Sequence, residues 1–306
     1  MLKPTHLSKG DTVGIIAPAG PIQAEKLTEA IPFLEGLGLH VIVGKHVYAR
    51  NDFIAGTDEE RAQDFHEMIE NPDVRAIFCA RGGYGTGRIA SMLDYERIRA
   101  HPKIIWGYSD ITYLHTAVRQ HAGLITFHGP MIASDVSSDT FDKQSAHSFD
   151  QLFHAQPVTY DETISPLRII SDGEGKGPLV GGNLSVFMST MGTPYEIDTT
   201  DAILLMEDIG EDPYQVDGLC NQLKQSGKLN KLAGIAIGDF RPRDLDQTER
   251  STIYDPIFQH YFADLQIPVV AGFQIGHCFP NIGIPLGTEA TLSTETKQLH
   301  IEQGVK

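Results

Sequence analysis

The chain has 306 residues, of which 41% are hydrophobic and 21% charged, a composition typical of a globular protein large enough for two domains. Its formal charge of −16 argues against nucleic acid or an anionic membrane surface as a partner, because such binding needs clustered Lys and Arg. The three cysteines form no CxxC pair, so neither a disulfide framework nor a thiolate zinc site is indicated.

The first twenty residues do not resemble a secretory signal. Their only apolar run, residues 13–19, is interrupted by Gly14 and Pro18. No apolar segment is long enough to predict a transmembrane helix either. We therefore expect a cytoplasmic protein with no membrane partner.

Predicted strands and helices alternate through the first half of the chain. The predicted strands are 12–17, 39–43, 74–80, 103–106 and 124–127, and the predicted helices are 24–37, about 57–70, a short one ending at 92, and 111–121. This alternation predicts a parallel sheet with helices on both faces. Ligands of such a sheet bind beyond the carboxyl ends of its strands.

The composition becomes polar from residue 134 to residue 176, which predicts a crossing between two domains with one helix near 146–155. We place an N-terminal α/β domain at 1–155, a linker at 156–176 and a C-terminal domain at 177–306. Buried strands at 202–206, 234–237 and 268–271, with helices near 215–225 and 253–265, predict a smaller mixed α/β domain.

Ser109 lies in the predicted turn between the strand that ends at Trp106 and the helix that begins at Ile111. A serine on a sharp strand-to-helix turn presents its hydroxyl to a ligand, and the first N–H groups of the helix face the same space. Serine is also a preferred helix cap, and this stretch taken alone favours the cap. A nucleophile requires partners elsewhere in the chain.

A glycine loop, residues 81–87, follows the third predicted strand. Its end, Gly85 to Ala90, matches the dinucleotide pattern G-x-G-x-x-G/A, but no acidic residue ends the next strand to bind a ribose. Alternatively, Gly82 and Gly83 let the backbone approach a reacting carbonyl and donate an N–H to it. A loop that merely needs positive φ angles accounts for one or two of these glycines.

Two further candidates follow predicted strands of the second half. Glu207 ends the buried run 202–206, where a carboxylate indicates either a site or a helix cap. His277 follows the strand at 268–271, and a lone histidine there is more often structural than a base. Together Ser109, Glu207 and His277 supply a nucleophile, an orienting acid and a base. The other histidines lack metal-ligand spacing, so no metal is implied.

Six segments in order resemble the L,D-carboxypeptidases, the serine peptidase family that includes muramoyltetrapeptide carboxypeptidase. These segments are IAPAG at 16–20, ARGGYG at 80–85, GYSD at 107–110, GGNL at 181–184, LMED at 205–208 and GFQIGH at 272–277. The resemblance covers about residues 7–287. It implies a flavodoxin-like or Rossmann-like first domain, a second domain with a barrel-like sheet, an active site between them, and a homodimer.

The resemblance also implies the roles of single residues. The family's Ser, Glu and His triad corresponds to Ser109, Glu207 and His277, and its oxyanion donors correspond to the N–H groups of Gly83 and Asp110. The implied reaction is hydrolysis of the bond before the terminal D-alanine of a murein tetrapeptide, through an acyl-enzyme and without a cofactor, a chemistry used in peptidoglycan recycling. A carboxypeptidase must also bind the free carboxylate, for which Asn183 and Arg81 are the candidates.

Three alternatives remain. Some family members resemble microcin C immunity proteins, which cleave aminoacyl-nucleotide amides with a tryptophan-bearing loop; the only tryptophan here, Trp106, lies in the strand before Ser109. A non-catalytic two-lobed ligand-binding protein is the second alternative, and the triad argues against it. A nicotinamide-dependent enzyme that uses the glycine loop is the third.

Overall fold

A computed structural model describes residues 1–242 and 252–306. The strands are β1 (Thr12–Ile16), β2 (His40–Val43), β3 (Val74–Cys79), β4 (Ile104–Trp106), β5 (Thr126–His128), β6 (Val158–Tyr160), β7 (Arg168–Ser171), β8 (Glu174–Asn183), β9 (Ile203–Ile209), β10 (Gly234–Arg241), β11 (Val269–Ala271), β12 (Ile284–Leu286), β13 (Glu289–Ser293) and β14 (Gln298–Ile301). The α-helices are α1 (Ala24–Gly36), α2 (Asp58–Glu70), α3 (Thr86–Ile89), α4 (Tyr95–Ala100), α5 (Ile111–Ala122), α6 (Lys143–His147), α7 (Leu184–Met188), α8 (Pro213–Gln225) and α9 (Asp255–Phe262). Shorter helical turns are Ala90–Met92, Ile132–Val136 and Ser148–Leu152.

The first sheet has the strand order β12-β5-β4-β3-β1-β2. Strands β1 to β5 are parallel, and β12 joins the edge antiparallel to β5. Side chains of β3 alternate between two apolar clusters, with Ala76 and Phe78 in one and Ile77 and Cys79 in the other. Both faces of the sheet are therefore buried, which confirms the predicted parallel sheet with helices on both faces.

The second sheet has the strand order β6-β14-β13-β8-β9-β10-β11-β7. Its centre, β8 to β11, is parallel, and antiparallel strands flank it on both sides. The sheet curls into a half-barrel beside the first one, as expected for the second domain. Strand β12 follows β11 along the chain but pairs with the first sheet, so the chain returns to the first half before it ends.

The segment 156–176, which the sequence predicts to be a linker, contains β6, β7 and the start of β8. Strands β6 and β7 lie at the two edges of the second sheet. Edge strands are short and partly exposed, so they lack the continuous apolar run by which β9 is predicted. The division of the chain into two domains stays a prediction.

The starts of two long helices follow from local chemistry. Thr57 caps α2 by accepting from Glu60 N, and the Glu60 side chain accepts from Thr57 N at 2.8 Å, which together form a capping box. Helix α8 begins in the same way at Asp212, with Gln215 as its partner. No helix in residues 1–242 and 252–306 is long and apolar enough to cross a membrane.

Candidate active site

Ser109 lies between β4 and α5 with a φ of +63°, a conformation that non-glycine residues rarely adopt. The N-cap position of α5 belongs to Asp110, and that side chain makes no capping hydrogen bond. The interpretation of Ser109 as the cap is therefore wrong. A strained serine at the carboxyl end of a central strand has the geometry of a nucleophile turn, in which the hydroxyl stands clear of the backbone.

The glycine loop passes directly over this serine. A Cβ built on Gly82 would lie 2.8 Å from Ser109 Cβ and 2.9 Å from Ser109 Oγ, closer than such contacts occur in proteins. The same loop is fixed from the other side, where Gly20 N donates to Gly82 O at 3.0 Å. Glycine at position 82 is thus required by the close approach of the loop to the hydroxyl.

We expect Gly82→Ala to lower the rate of ester or peptide hydrolysis by at least about 10²-fold, because the added methyl displaces the loop or Ser109 Oγ. Gly36→Ala is the matched control. Gly36 lies exposed in α1, and a Cβ there meets nothing within 4 Å. Steady-state kinetics of both variants measure the effect, and equal activities would show that the contact at Gly82 has no role.

The structure brings Glu207 and His277 together. Glu207 lies on β9, and its Oε2 is 2.7 Å from Nδ1 of His277, with the carboxylate fully buried and the imidazole 12% exposed. Gly276 permits this approach, because its φ is +119° and a Cβ there would contact Glu207 Oε2. A carboxylate on Nδ1 fixes the tautomer that leaves Nε2 free to accept a proton.

The imidazole ring of His277 packs against the ring of Tyr108, the residue that precedes Ser109. The rings of Tyr108 and His277 have centroids 4.8 Å apart, and the Tyr108 hydroxyl donates to Asp135 Oδ1 at 3.0 Å. Asp135 also accepts from Met131 N at 2.7 Å, so the pair is fixed. This packing places the histidine beside the nucleophile turn. Burial keeps the pKa of nearby His128 well below its usual value, so His128 adds no positive charge there.

The pKa of His277 is raised above its ordinary value. Burial lowers this pKa, but the charge and hydrogen bond of Glu207, together with the charges of Asp208 and Asp135, outweigh that effect. A base must be neutral, so kcat/KM falls as the pH drops through this pKa. We expect the midpoint of the acid limb above about 6.5, the unperturbed value for histidine. A pH series of kcat/KM measures it, and a midpoint below 6 would contradict the assignment.

The predicted oxyanion donors are two backbone N–H groups. The N–H groups of Gly83 and Asp110, the predicted oxyanion donors, donate no hydrogen bond to any residue that the structure describes. The Asp110 side chain is turned away, since it accepts from Thr86 N at 2.9 Å. Both residues line one cleft of about 540 Å³. Unoccupied donors in a cleft are available to a ligand oxygen.

The two predicted carboxylate contacts differ in their surroundings. Asn183 is buried and caps α7, since its Oδ1 accepts from Val186 N while its Nδ2 donates to Asp208 at 2.9 Å. Burial and the charge of Glu207 raise the pKa of Asp208 to about 6. Arg81 is exposed, donates to Pro21 O at 3.0 Å, and lines a separate cavity of about 300 Å³.

Sequence reasoning missed the Tyr108–Asp135 pair and an ionic cluster of Asp58, Arg61 and Arg88. Asp135 lies in a polar stretch that gives no sign of burial, and Asp58 is already explained as a first-turn acid of α2. The i,i+3 spacing of Asp58 and Arg61 was the one available signal. Within the described residues, no cluster of His, Cys, Asp and Glu is arranged to hold a metal ion.

A strained serine turn, a carboxylate-bound histidine and free N–H donors at the carboxyl ends of strands are typical of a serine hydrolase. Residues 13–129 match the family model described as LD-carboxypeptidase N-terminal domain, and residues 176–292 match its C-terminal domain. The chain belongs to the LD-carboxypeptidase family and is a carboxypeptidase-type hydrolase.

Individual relatives agree with this family. The chain is 48% identical over 303 residues to the probable murein peptide carboxypeptidase of Bacillus subtilis (strain 168), covering 99% of this chain and 95% of that protein. The structure of an MccF-like protein from Bacillus anthracis str. Ames matches with a TM-score of 0.90 at 27% identity, covering 99% and 100% of the chains. The muramoyltetrapeptide carboxypeptidase from Oxalobacter formigenes matches with a TM-score of 0.84 at 30% identity, covering 96% and 100%.

Proposed function

We propose that this protein is a serine L,D-carboxypeptidase that releases the terminal D-alanine of murein tetrapeptides from the L-centre of a diamino acid. The observation that carries the proposal is the 2.7 Å contact of Glu207 Oε2 with His277 Nδ1, on a histidine that packs against the nucleophile turn. The names of the relatives, murein peptide and muramoyltetrapeptide carboxypeptidase, support the substrate class.

In this mechanism Ser109 Oγ attacks the carbonyl carbon of the scissile bond, and His277 Nε2 takes the hydroxyl proton. The N–H groups of Gly83 and Asp110 stabilise the oxyanion, and Glu207 stabilises the imidazolium. His277 then gives its proton to the departing amine of D-alanine, which leaves an ester on Ser109. Water, deprotonated by His277, attacks that ester, releases the shortened peptide and restores the serine.

The test is release of D-alanine from L-Ala-D-Glu-meso-diaminopimelate-D-Ala by the purified protein, with and without a chelator. Release that the chelator does not change supports the proposal. A folded protein that releases no D-alanine overturns the murein substrate, and hydrolysis that requires a metal overturns the serine mechanism.

Hydrolysis of aminoacyl-nucleotide amides is the second candidate, and the similarity to an MccF-like structure favours it. The chain lacks the tryptophan for stacking a base, because Trp106 is fully buried in β4 and donates Nε1–H to Pro130 O at 2.7 Å. Parallel assays with the tetrapeptide and an aminoacyl-nucleotide amide decide between the two, since the higher kcat/KM identifies the substrate class.

The proposed enzyme is a cytoplasmic homodimer that acts on small peptides and uses no cofactor. This part of the proposal is supported by the family resemblance. Sedimentation equilibrium measures the mass directly, and a monomer at micromolar concentration would overturn the dimer.

A further inference from the structure

The cleft beside the oxyanion donors has one exposed positive charge. Besides Gly83 and Asp110, its walls include Tyr113, Ser185 and Arg88. Arg88 is the only cation among the described residues that line it. The Asp110 carboxyl, the one acid there, is buried and directed at Thr86 N. A ligand group that enters the cleft therefore meets a guanidinium rather than a carboxylate.

Arg88 is held in a fixed orientation. Its Nε and Nη2 donate to Asp58 Oδ2 at 3.0 and 2.8 Å, while its Nη1 donates no hydrogen bond to any residue that the structure describes. The side chain is 43% exposed. One edge of the guanidinium is thus anchored and another is open, so little conformational entropy is lost when the open edge binds a ligand.

The anchor does not neutralise Arg88 completely, because Asp58 is shared. Its other oxygen, Oδ1, pairs with Nη2 of the buried Arg61. Arg61 also donates from Nη1 to Pro18 O at 2.7 Å and to Gly85 O at 2.8 Å, which ties the ion cluster to the glycine loop. Asp58 therefore divides its charge between two guanidinium groups, of which Arg88 is the exposed one.

We propose that Arg88 binds a carboxylate of the peptide substrate through Nη1 and thereby sets specificity for acidic peptides. This inference rests on the proposed function, since a murein tetrapeptide carries three carboxylates: those of the terminal D-alanine, the D-glutamate and the diaminopimelate side chain. A guanidinium–carboxylate hydrogen bond is strong and directional. This role of Arg88 is separate from the carboxylate binding predicted for Arg81 and Asn183, which do not line the cleft.

The experiment uses the tetrapeptide and three derivatives, each lacking one carboxylate: the D-alanine amide, the D-isoglutamine peptide, and the peptide with lysine in place of diaminopimelate. With the wild type, we expect one derivative to show a kcat/KM about 10- to 100-fold below that of the parent, mainly through KM. Arg88→Gln is expected to lose about the same factor on the parent and to hydrolyse the parent and that derivative equally.

Arg97→Gln is the matched control, because Arg97 is an exposed arginine paired with Glu70 and Asp94 outside the cleft. It should keep the wild-type discrimination, and thermal melting should show all variants folded. If Arg88→Gln discriminates as the wild type does, or if Arg81→Gln alone removes the discrimination, the inference is overturned while the proposed function stands. If the wild type cleaves the last peptide bond of none of the four peptides, so that neither D-alanine nor D-alanine amide is released, the proposed function itself falls, and this inference with it.

Discussion

Alanine at position 109 is expected to lower kcat for D-alanine release by about 10⁶-fold, the loss found when the nucleophile of another serine hydrolase is removed. Ser109 Oγ is the only protein atom in the proposed mechanism that forms a covalent bond to the substrate. The variant should fold normally, because alanine has the same backbone cost at φ +63° and the hydroxyl makes no hydrogen bond to the described residues.

Single-turnover release of D-alanine and thermal melting together test this expectation. Ser226→Ala, at the C-terminal end of α8, controls for the loss of a serine hydroxyl elsewhere. A folded Ser109→Ala protein that retains more than a tenth of wild-type kcat would eliminate Ser109 as the nucleophile. Loss of activity together with loss of the melting transition would instead show a structural role for the hydroxyl.

The strands and helices of the first sheet are predictable because each is determined by residues that are neighbours in the sequence. Each buried parallel strand is a short apolar run, and each helix carries its own capping and periodicity, as in the Thr57 capping box. Strand β12 shows where this fails. Pro285 in its centre argues against a strand, yet β12 pairs with β5 at the sheet edge, where a missing N–H does no harm.

The sequence predicts where the residues of the candidate site lie in the fold, but it does not predict which of their side chains touch. Glu207 lies near the carboxyl end of β9 and His277 follows β11, so a place at the carboxyl edge of a sheet could be inferred for each from the buried runs before them. Their 2.7 Å contact joins residues 70 positions apart and depends on the pairing of β9, β10 and β11. No local pattern encodes such a distance.

Contacts between polar side chains of different elements are the least predictable. Arg88 and Asp58 each have a local explanation, Arg88 as the basic residue in the last turn of α3 and Asp58 as an acid in the first turn of α2, and neither explanation refers to the other. The same is true of Asp135, which lies in the short helical turn Ile132–Val136, far along the chain from Tyr108. The local sequence does not show that such polar residues are buried, because their burial depends on elements that are distant along the chain.

Replacement of Glu207 by glutamine is expected to lower kcat/KM by about 10⁴-fold, the size of the effect of the corresponding change in another serine hydrolase. Glutamine keeps the volume of this fully buried side chain but removes the charge that stabilises the imidazolium of His277. It can also present an N–H to Nδ1 and so impose the wrong tautomer. Packing is nearly unchanged, so the loss should appear in kcat rather than in stability.

The pH profile of the residual activity separates an electrostatic role from a packing role. Burial lowers the pKa of His277 and Glu207 raises it, so without the carboxylate the burial effect dominates and the pKa falls. The acid limb of Glu207→Gln should therefore move to lower pH than that of the wild type. Glu207→Asp, which keeps the charge on a shorter side chain, should retain a limb near the wild-type position despite reduced activity. An unshifted limb in Glu207→Gln would show that this carboxylate does not control the protonation of His277, and the histidine would then need another partner to act as the base.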